Sequence, residues 1–296
     1  MKLGFIGVGN MGRPMCDRLL EAGHQLVVHD TRDAAVKPLA ERQARIVGSP
    51  KAVADEAETV YAALPSLDAY HAVALGEGGL RDGNGMRIFV NLGTVGPRFV
   101  ENLERDLGES GVATIDSPIS GGPPGAADGT LSIMSSGPKD AFEAVRPALD
   151  VLGTVTYVGE KAGMAQSLKL ANNILSATAL AATSEAFTMG LKAGIDPEIM
   201  LEVINRGSGR NSATLQKFPA YVMTGSYDYG AALDILVKDV DLALSEGEAL
   251  GVPMTVSQSV RQFLRLFRAA TNGDTDITRA AEWVAGLAKT EFPKTR

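Results

Sequence analysis

The stretch Leu3–Gly12, LGFIGVGNMG, decides how the rest of the chain is read. Leu3–Val8 is a short apolar run with the character of a strand buried on both faces. Asn10–Gly23 follows as a helix, with Met11, Met15, Leu19 and Ala22 near helical spacing. Between them the glycines fall as Gly7-x-Gly9-x-x-Gly12. Gly7 permits a tight turn, Gly9 leaves room for a pyrophosphate against the backbone, and Gly12 lets helix and strand pack closely. A diphosphate there faces unpaired N–H groups and the positive end of the helix dipole. The next strand, Gln25–His29, runs into Asp30, where a ribose-binding carboxylate is expected. This order predicts a dinucleotide site formed by Gly7, Val8, Gly9, Asn10, Met11 and Gly12, with Asp30, Thr31 and Arg32 at the ribose. A carboxylate at Asp30 accepts from both ribose hydroxyls and repels a 2′-phosphate, which favours NAD. Arg32 offers that phosphate a partner, so NADP stays open. The competing structural role for Asp30 is to cap a helix over Ala34–Ala40.

Working outward, further strands are expected at Glu58–Ala63, Arg87–Asn91, Val112–Asp116, Leu131–Ser135 and Val155–Val158. Helical stretches such as Arg98–Gly108 and Lys139–Leu149 separate most of them. Apolar strands alternating with helices imply a parallel sheet covered on both faces. After Val158 only helices are found. Ala165–Lys192 contains no proline and reads as one helix about 42 Å long. Gly194 stops it, and Asp196-Pro197 starts the next as N-cap and first helical residue. Further helices are expected at Pro197–Arg206, Ala213–Met223, Leu233–Leu250, Thr255–Ala270 and Ile277–Leu287. The predicted fold is α/β: a Rossmann-like doubly wound parallel sheet over residues 1–161, then an all-α domain over 162–296. The latter begins with the long interdomain helix.

The bulk numbers agree. At about 150 residues per domain, 296 residues make roughly two domains. A 45 % hydrophobic and 21 % charged composition is that of an ordinary globular chain, and a net charge of −7 argues against nucleic acid as a partner. The single cysteine, Cys16, forms no internal disulfide and fits a reducing compartment. The N-terminus lacks the long apolar stretch of a signal peptide, and no run approaches the ~18 apolar residues of a membrane helix. The expectation is a cytoplasmic protein with no membrane partner. His24, His29 and His71 lack zinc-site spacing, so no metal is predicted. Cys16, Trp283, Phe263 and Phe267 read as packing residues, and Asp239 and Asp241 as solvated helix charges.

Four motifs carry a family resemblance. The opening GFIGVGNMGRPM resembles the β-hydroxyacid dehydrogenase family, the 3-hydroxyisobutyrate dehydrogenase and tartronate semialdehyde reductase type. Asp116–Leu131 (DSPISGGPPGAADGTL) is similar to its substrate-binding segment, Gly163–Asn173 (GMAQSLKLANN) to its catalytic helix, and Lys238–Ala243 (KDVDLA) to its second cofactor motif. The resemblance spans nearly the whole chain. It implies an oxidoreductase that interconverts a small β-hydroxyacid and its aldehyde or keto acid with NAD(H) or NADP(H). By the same resemblance Lys169 is the general acid/base and Ser120, Gly121 and Gly122 hold the substrate's carboxylate. Lys238, Leu64, Pro65 and Thr94 then touch the dinucleotide, and the chain forms a homodimer or homotetramer.

The residues support parts of this independently. Lys169 and Asn173 are i, i+4 and share one helix face, so Asn173 can orient the substrate or the amine. Interconverting hydroxyl and carbonyl needs a proton carrier beside the hydride carrier. A lysine, with its ordinary pKa near 10.4, makes oxidation faster toward alkaline pH and reduction slower. Thr94 and Leu64-Pro65 follow strands, where open α/β sheets bind ligands. The glycine-dense segment exposes successive N–H groups suited to a carboxylate, with Pro123-Pro124 stiffening the loop. Arg210, in a glycine-rich loop, is a second carboxylate candidate. Ser135-Ser136, in place of the family's hydrophobic-glycine pair, and Tyr227-Asp228-Tyr229 are departures expected to reshape the pocket. The rivals are a catalytically silent dinucleotide-binding interaction module and an imine-reducing relative, and retention of Lys169 disfavours both.

Overall fold

The computed structural model describes residues 1–292. Six parallel strands form the first part of the sheet: β1 (Lys2–Ile6), β2 (Gln25–His29), β3 (Arg45–Ile46), β4 (Thr59–Ala62), β5 (Ile88–Asn91) and β6 (Ala113–Asp116). Their spatial order is β3-β2-β1-β4-β5-β6, reversing direction between β1 and β4. The remaining strands are β7 (Ile119–Ser120), β8 (Leu131–Ser136) and β9 (Gly153–Gly159). Here the sheet is not uniformly parallel as expected. β8 runs antiparallel to both β6 and β7, and β9 returns parallel to β8. β7 continues in the direction of β6, and the short helical segment Gly122–Asp128 turns the chain back beside them instead of recrossing the sheet to start a parallel strand.

The helices α1 (Gly12–Glu21), α2 (Asp33–Ala40), α3 (Pro50–Glu56), α4 (Leu67–Leu75), α5 (Pro97–Gly108), α6 (Gly122–Asp128) and α7 (Lys139–Leu152) complete this part. Strand side chains alternate between the two faces, so neighbours in sequence join different cores. Phe5 and Val28 pack with Met15, Leu19, Phe142 and Leu149. Ile6 and Val27 pack with Tyr70, Phe89, Val100 and Leu107 on the other side. Cys16 is fully buried in the first core, and burial pushes its thiol well above the ordinary range, as suits a packing residue.

The second part is helical: α8 (Met164–Lys192), α9 (Pro197–Arg206), a π-helix (Ala213–Val222), α10 (Leu233–Ala249), α11 (Thr255–Ala270) and α12 (Ala280–Leu287), the last preceded by a 3₁₀ turn at Ile277–Arg279. Asp196 caps α9 by accepting from the Glu198 and Ile199 N–H groups. The segment expected as an ordinary α-helix from Ala213 is π-helical. Pro219 lies inside it, lacks an N–H and crowds the preceding turn, and a wider winding accommodates that ring. Leu180 and Phe187 of α8 pack with Phe218, Val240, Leu264 and Phe267. Trp283 lies 5.3 Å, ring centre to ring centre, from both Phe263 and Phe267.

Two compact units result, Met1–Lys169 and Leu170–Arg296. The division falls inside α8 because the helix's first turn is hydrogen-bonded into the sheet unit, as described below. One sequence expectation is overturned. By length and composition α8 is apolar enough to cross a membrane. Its buried residues nevertheless include Gln166, Lys169, Thr183, Ser184 and Thr188 beside Leu180 and Phe187, the pattern of a core helix carrying polar function.

Candidate active site

The glycine loop sits at the reversal point of the sheet, where open α/β folds bind ligands. Gly7 has φ +91°, and a Cβ there would strike the Ala63 carbonyl; one on Gly12 would strike the carbonyl of Gly7. Strand, loop and helix are packed too closely for any other residue at these two points. α1 opens at Met11 with no side-chain cap and no acidic residue in its first turn, which leaves its positive end available. Gly9 is open by contrast. Among the described residues, the one atom within 4 Å of where its Cβ would stand is an Arg32 guanidinium nitrogen, at 3.7 Å. This cradle fits a pyrophosphate.

Asp30 closes the cradle. Its Oδ2 accepts from the Val8 N–H at 2.7 Å, and its Oδ1 accepts from the Arg32 N–H at 2.9 Å and from Arg32 Nε at 3.2 Å. Burial works to raise its pKa, but the Arg32 backbone, the Arg32 side chain and the Val8 N–H outweigh burial and hold it below the usual carboxylate range. It does not cap α2, whose N-cap is Arg32 with no side-chain bond. Beside it, Leu64 and Pro65 follow β4, which pairs with β1 at Ile6 and Ala62. Tyr70, fully buried, braces that turn: its hydroxyl donates to the Ala62 carbonyl at 2.8 Å and accepts from the Leu64 N–H at 3.3 Å.

Thr94 lies half-buried in the loop after β5, and a buried polar network pins that loop. Gln166, in the first turn of α8, accepts through Oε1 from the Val95 and Gly96 N–H groups at 2.9 and 3.0 Å. Its Nε2 donates to the Gly93 carbonyl at 3.0 Å and to Asp116 Oδ1 at 2.7 Å, and its backbone N–H donates to Asp116 Oδ2 at 3.1 Å. Asn91 Nδ2 supplies a further donor to Asp116 at 2.8 Å. Asp116, at the end of β6, is fully buried. Loss of water raises its pKa to about 7, while the Gln166 and Asn91 donors pull the other way. Neither Gln166 nor Asp116 was singled out by sequence reasoning, although both lie inside the stretches quoted for the resemblance.

Ser120, Gly121 and Gly122 are half-buried where β7 passes into α6. Gly121 and Gly122 have φ of +132° and +66°. Pro123 and Pro124 do not stiffen a loop as expected; they form the first turn of α6, where missing N–H groups cost nothing. Ser135 and Ser136 also have a different role from the expected reshaping of a pocket. The Ser135 hydroxyl bonds that of Ser117 at 2.8 Å, and Ser136 Oγ accepts from the Ala165 N–H at 3.1 Å, satisfying one of the unpaired donors of α8.

Lys169 stands three residues beyond Gln166 and is 6 % exposed. Four residues further, Asn173 Nδ2 donates to Asp239 Oδ2 at 2.6 Å, and Lys238 Nζ donates to Asp239 Oδ1 at 2.7 Å. Asp239 is therefore no solvated helix charge. It is buried and fixes the Asn173 amide and the Lys238 ammonium together, and the amide oxygen accepts from Asn172 Nδ2 at 3.2 Å. Asp241 is partly exposed beside Arg265. Arg210 lies exposed in the loop before the π-helix, and among the described residues no ion pair holds it.

The raised pKa of Asp116 makes stability depend on pH. Because the folded value exceeds the ordinary 3.8, the native state holds this proton longer than the unfolded chain. Its contribution to stability is fully present below about pH 4 and is lost as pH rises through about 7. Urea midpoints of wild type and Asp116→Asn between pH 4.5 and 8 measure this. Whatever the constant offset, the wild type should lose stability relative to the variant across that window, and parallel curves would refute it.

Comparisons with known proteins agree with this geometry. Residues 2–159 match the family model described as the NAD binding domain of 6-phosphogluconate dehydrogenase, and residues 163–284 that described as NAD-binding of NADP-dependent 3-hydroxyisobutyrate dehydrogenase. The chain is 32 % identical to 2-(hydroxymethyl)glutarate dehydrogenase of Eubacterium barkeri, covering 94 % of this chain and 93 % of that one. It is 30 % identical to mitochondrial 3-hydroxyisobutyrate dehydrogenase of Bos taurus, covering 95 % and 86 %. Among solved structures, Psf3 in complex with NADP+ and 2-OPP superposes with a TM-score of 0.86 at 28 % identity, over 95 % of this chain and 99 % of that one. Imine reductases are more distant, that of Streptomyces aurantiacus giving a TM-score of 0.63 at 20 % identity over 96 % and 99 %, a likeness of fold alone. The chain belongs to the β-hydroxyacid dehydrogenase family, the family of 3-hydroxyisobutyrate dehydrogenase, and is an NAD(P)-dependent oxidoreductase.

Proposed function

We propose that the protein interconverts a small β-hydroxyacid and its carbonyl counterpart using NAD(H), with Lys169 carrying the proton. The observation that carries this reading is the placement of Lys169. A buried amine stands one turn from Gln166, the residue that grips both Asp116 and the Thr94 loop. Bound nicotinamide supplies the hydride donor or acceptor. In reduction, protonated Lys169 donates to the substrate oxygen; in oxidation, the neutral amine accepts the hydroxyl proton. Asn173, its Nδ2 held by Asp239, presents its oxygen to substrate. The backbone N–H groups at Ser120, Gly121 and Gly122 receive the substrate's carboxylate, and Arg210 is the further cationic candidate for it.

Replacing Lys169 by Ala should lower kcat by on the order of 10²–10⁴ while leaving NADH binding near its original Kd. Stopped-flow turnover together with NADH fluorescence titration separates the two quantities. A silent binding module predicts no turnover in wild type, and a Lys169→Ala protein with near-normal kcat would remove the amine from the mechanism.

The cofactor preference follows from Asp30. Its carboxylate stays ionised and points into the cradle, so a 2′-phosphate meets a fixed negative charge, while Arg32 is already engaged with that same carboxylate. NADH should exceed NADPH in kcat/KM by about tenfold or more, the equivalent of ~1.4 kcal/mol. Equal or reversed ratios in a side-by-side assay contradict the NAD assignment.

A homodimer or homotetramer is part of the same proposal. α8 leaves Leu168, Leu175, Ala182 and Met189 exposed at seven-residue spacing, with Leu175 70 % and Met189 72 % exposed. Ile199 and Val203 add an i, i+4 apolar pair on α9. Light scattering after gel filtration should give two or four chain masses, and Leu175→Glu with Met189→Glu should shift it toward one. A monomeric wild type at micromolar concentration rejects the proposal.

A further inference from the structure

Lys217 takes no part in the proton transfer assigned to Lys169. It lies on the π-helix and is 4 % exposed; among the described residues it and Lys169 are the buried lysines. Its Nζ donates to Ser176 Oγ at 3.3 Å and stands 5.4 Å from the centre of the Tyr229 ring. Among the described residues no carboxylate pairs with it. A hydroxyl and an aromatic face are weak compensation for an ammonium removed from water, which ordinarily finds an anion. Burial accordingly pulls its pKa down. Asp239, the carboxylate that serves this face of α8, is already bonded to Asn173 and Lys238.

The position of Ser176 gives this cation its meaning. Ser176 follows Lys169 by seven residues and Asn173 by three, so the three share one face of α8, spread over about 10 Å along its axis. Asn173 and Ser176 are both half-buried, so a molecule lying along this face reaches the Ser176 hydroxyl and, through it, the ammonium. Tyr229 is itself braced edge-on by Tyr221, with centroids 5.4 Å apart, and closes the far side of the ammonium with an apolar wall. Of the two tyrosines that looked unusual in the sequence, Tyr229 borders this cation, while Tyr227 faces Arg279.

We propose that Lys217 is a specificity-determining residue: with Ser176 it receives a second carboxylate of the substrate, so the enzyme selects β-hydroxy dicarboxylic acids over monocarboxylic ones. This rests on the reading of α8 as the substrate side of the enzyme. The reacting hydroxyl is the one served by Lys169, and a carbon arm carries the second carboxylate along α8 toward Ser176.

The test compares 2-(hydroxymethyl)glutarate with 3-hydroxyisobutyrate at saturating NAD+ in wild type, Lys217→Met and Lys217→Arg. Wild type should prefer the dicarboxylate by about tenfold or more in kcat/KM. Lys217→Met should reduce that preference by about tenfold to a hundredfold, through the KM of the dicarboxylate rather than through kcat, and Lys217→Arg should restore part of it. Ser176→Ala, at a half-buried position, should lower the same ratio several-fold and serves if Lys217→Met does not fold. Turnover of both acids with no dicarboxylate advantage, or a ratio unchanged in the variants, overturns the Lys217 assignment alone. No turnover of either acid by wild type removes this inference together with the dehydrogenase reading beneath it.

Discussion

The buried carboxylate of Asp116 is the constraint on which the sheet unit's ligand side depends. Three N–H donors from two side chains and one backbone converge on it, and all three favour the charged form that burial opposes. Oδ2 depends on the Gln166 backbone N–H alone and Oδ1 on two side-chain amides, so losing a donor weakens the compensation for a fully desolvated group. What it holds is specific. Gln166 cannot satisfy Asp116 without also receiving the Val95 and Gly96 N–H groups, and so the Thr94 loop and the first turn of α8 have one relative position. Lys169, three residues along that helix and proposed above as the proton carrier, inherits this precision.

The same economy recurs on the helical unit. α8 is apolar over most of its length, and its buried polar side chains are each given a partner. Ser184 and Thr188 bond back to carbonyls four residues earlier, which costs little. Asn173 instead takes its partner from α10, so its amide has one orientation. Asp239 can do this because Lys238, its neighbour in sequence, neutralises it. Removing that carboxylate would take a partner from the amide and from the ammonium at once. Such coupled groups respond to substitution as a unit, not additively.

Much of the architecture was legible because its signals are local. The glycine spacing, the acidic residue after Gln25–His29, the Asp196-Pro197 helix start and the proline-free run of α8 each express a backbone requirement within a few residues. The antiparallel strand β8 was not legible, because pairing direction depends on where a connection can reach. The two-residue strands β3 and β7 carry too little periodicity to register. Pro123-Pro124 misled because proline is equally at home in a loop and in a first helical turn. In the site, Lys169 and Asn173 were visible through the resemblance carried by Gly163–Asn173, and helical spacing added that they share a face. Asp239 and Lys217 were not, since nothing in their own neighbourhoods distinguishes a buried charge from a solvated one; that distinction comes from what packs against them.

The ligands of this protein are anions, yet the chain carries a net charge of −7. Long-range attraction therefore works against binding, and at physiological salt it is screened within about 8 Å. Recognition must be built from short-range donors. At the cradle these are backbone N–H groups at an uncapped helix end, which carry no net charge and need none balanced elsewhere. The lysines proposed to meet substrate, Lys169 and Lys217, are buried, where screening by salt is weak and an attraction is correspondingly stronger. Arg210, proposed as a further cation, is exposed and would contribute less per charge than either. A surface that repels anions in general, combined with a few desolvated donors at fixed positions, admits only those anions whose oxygens match the donors in number and spacing.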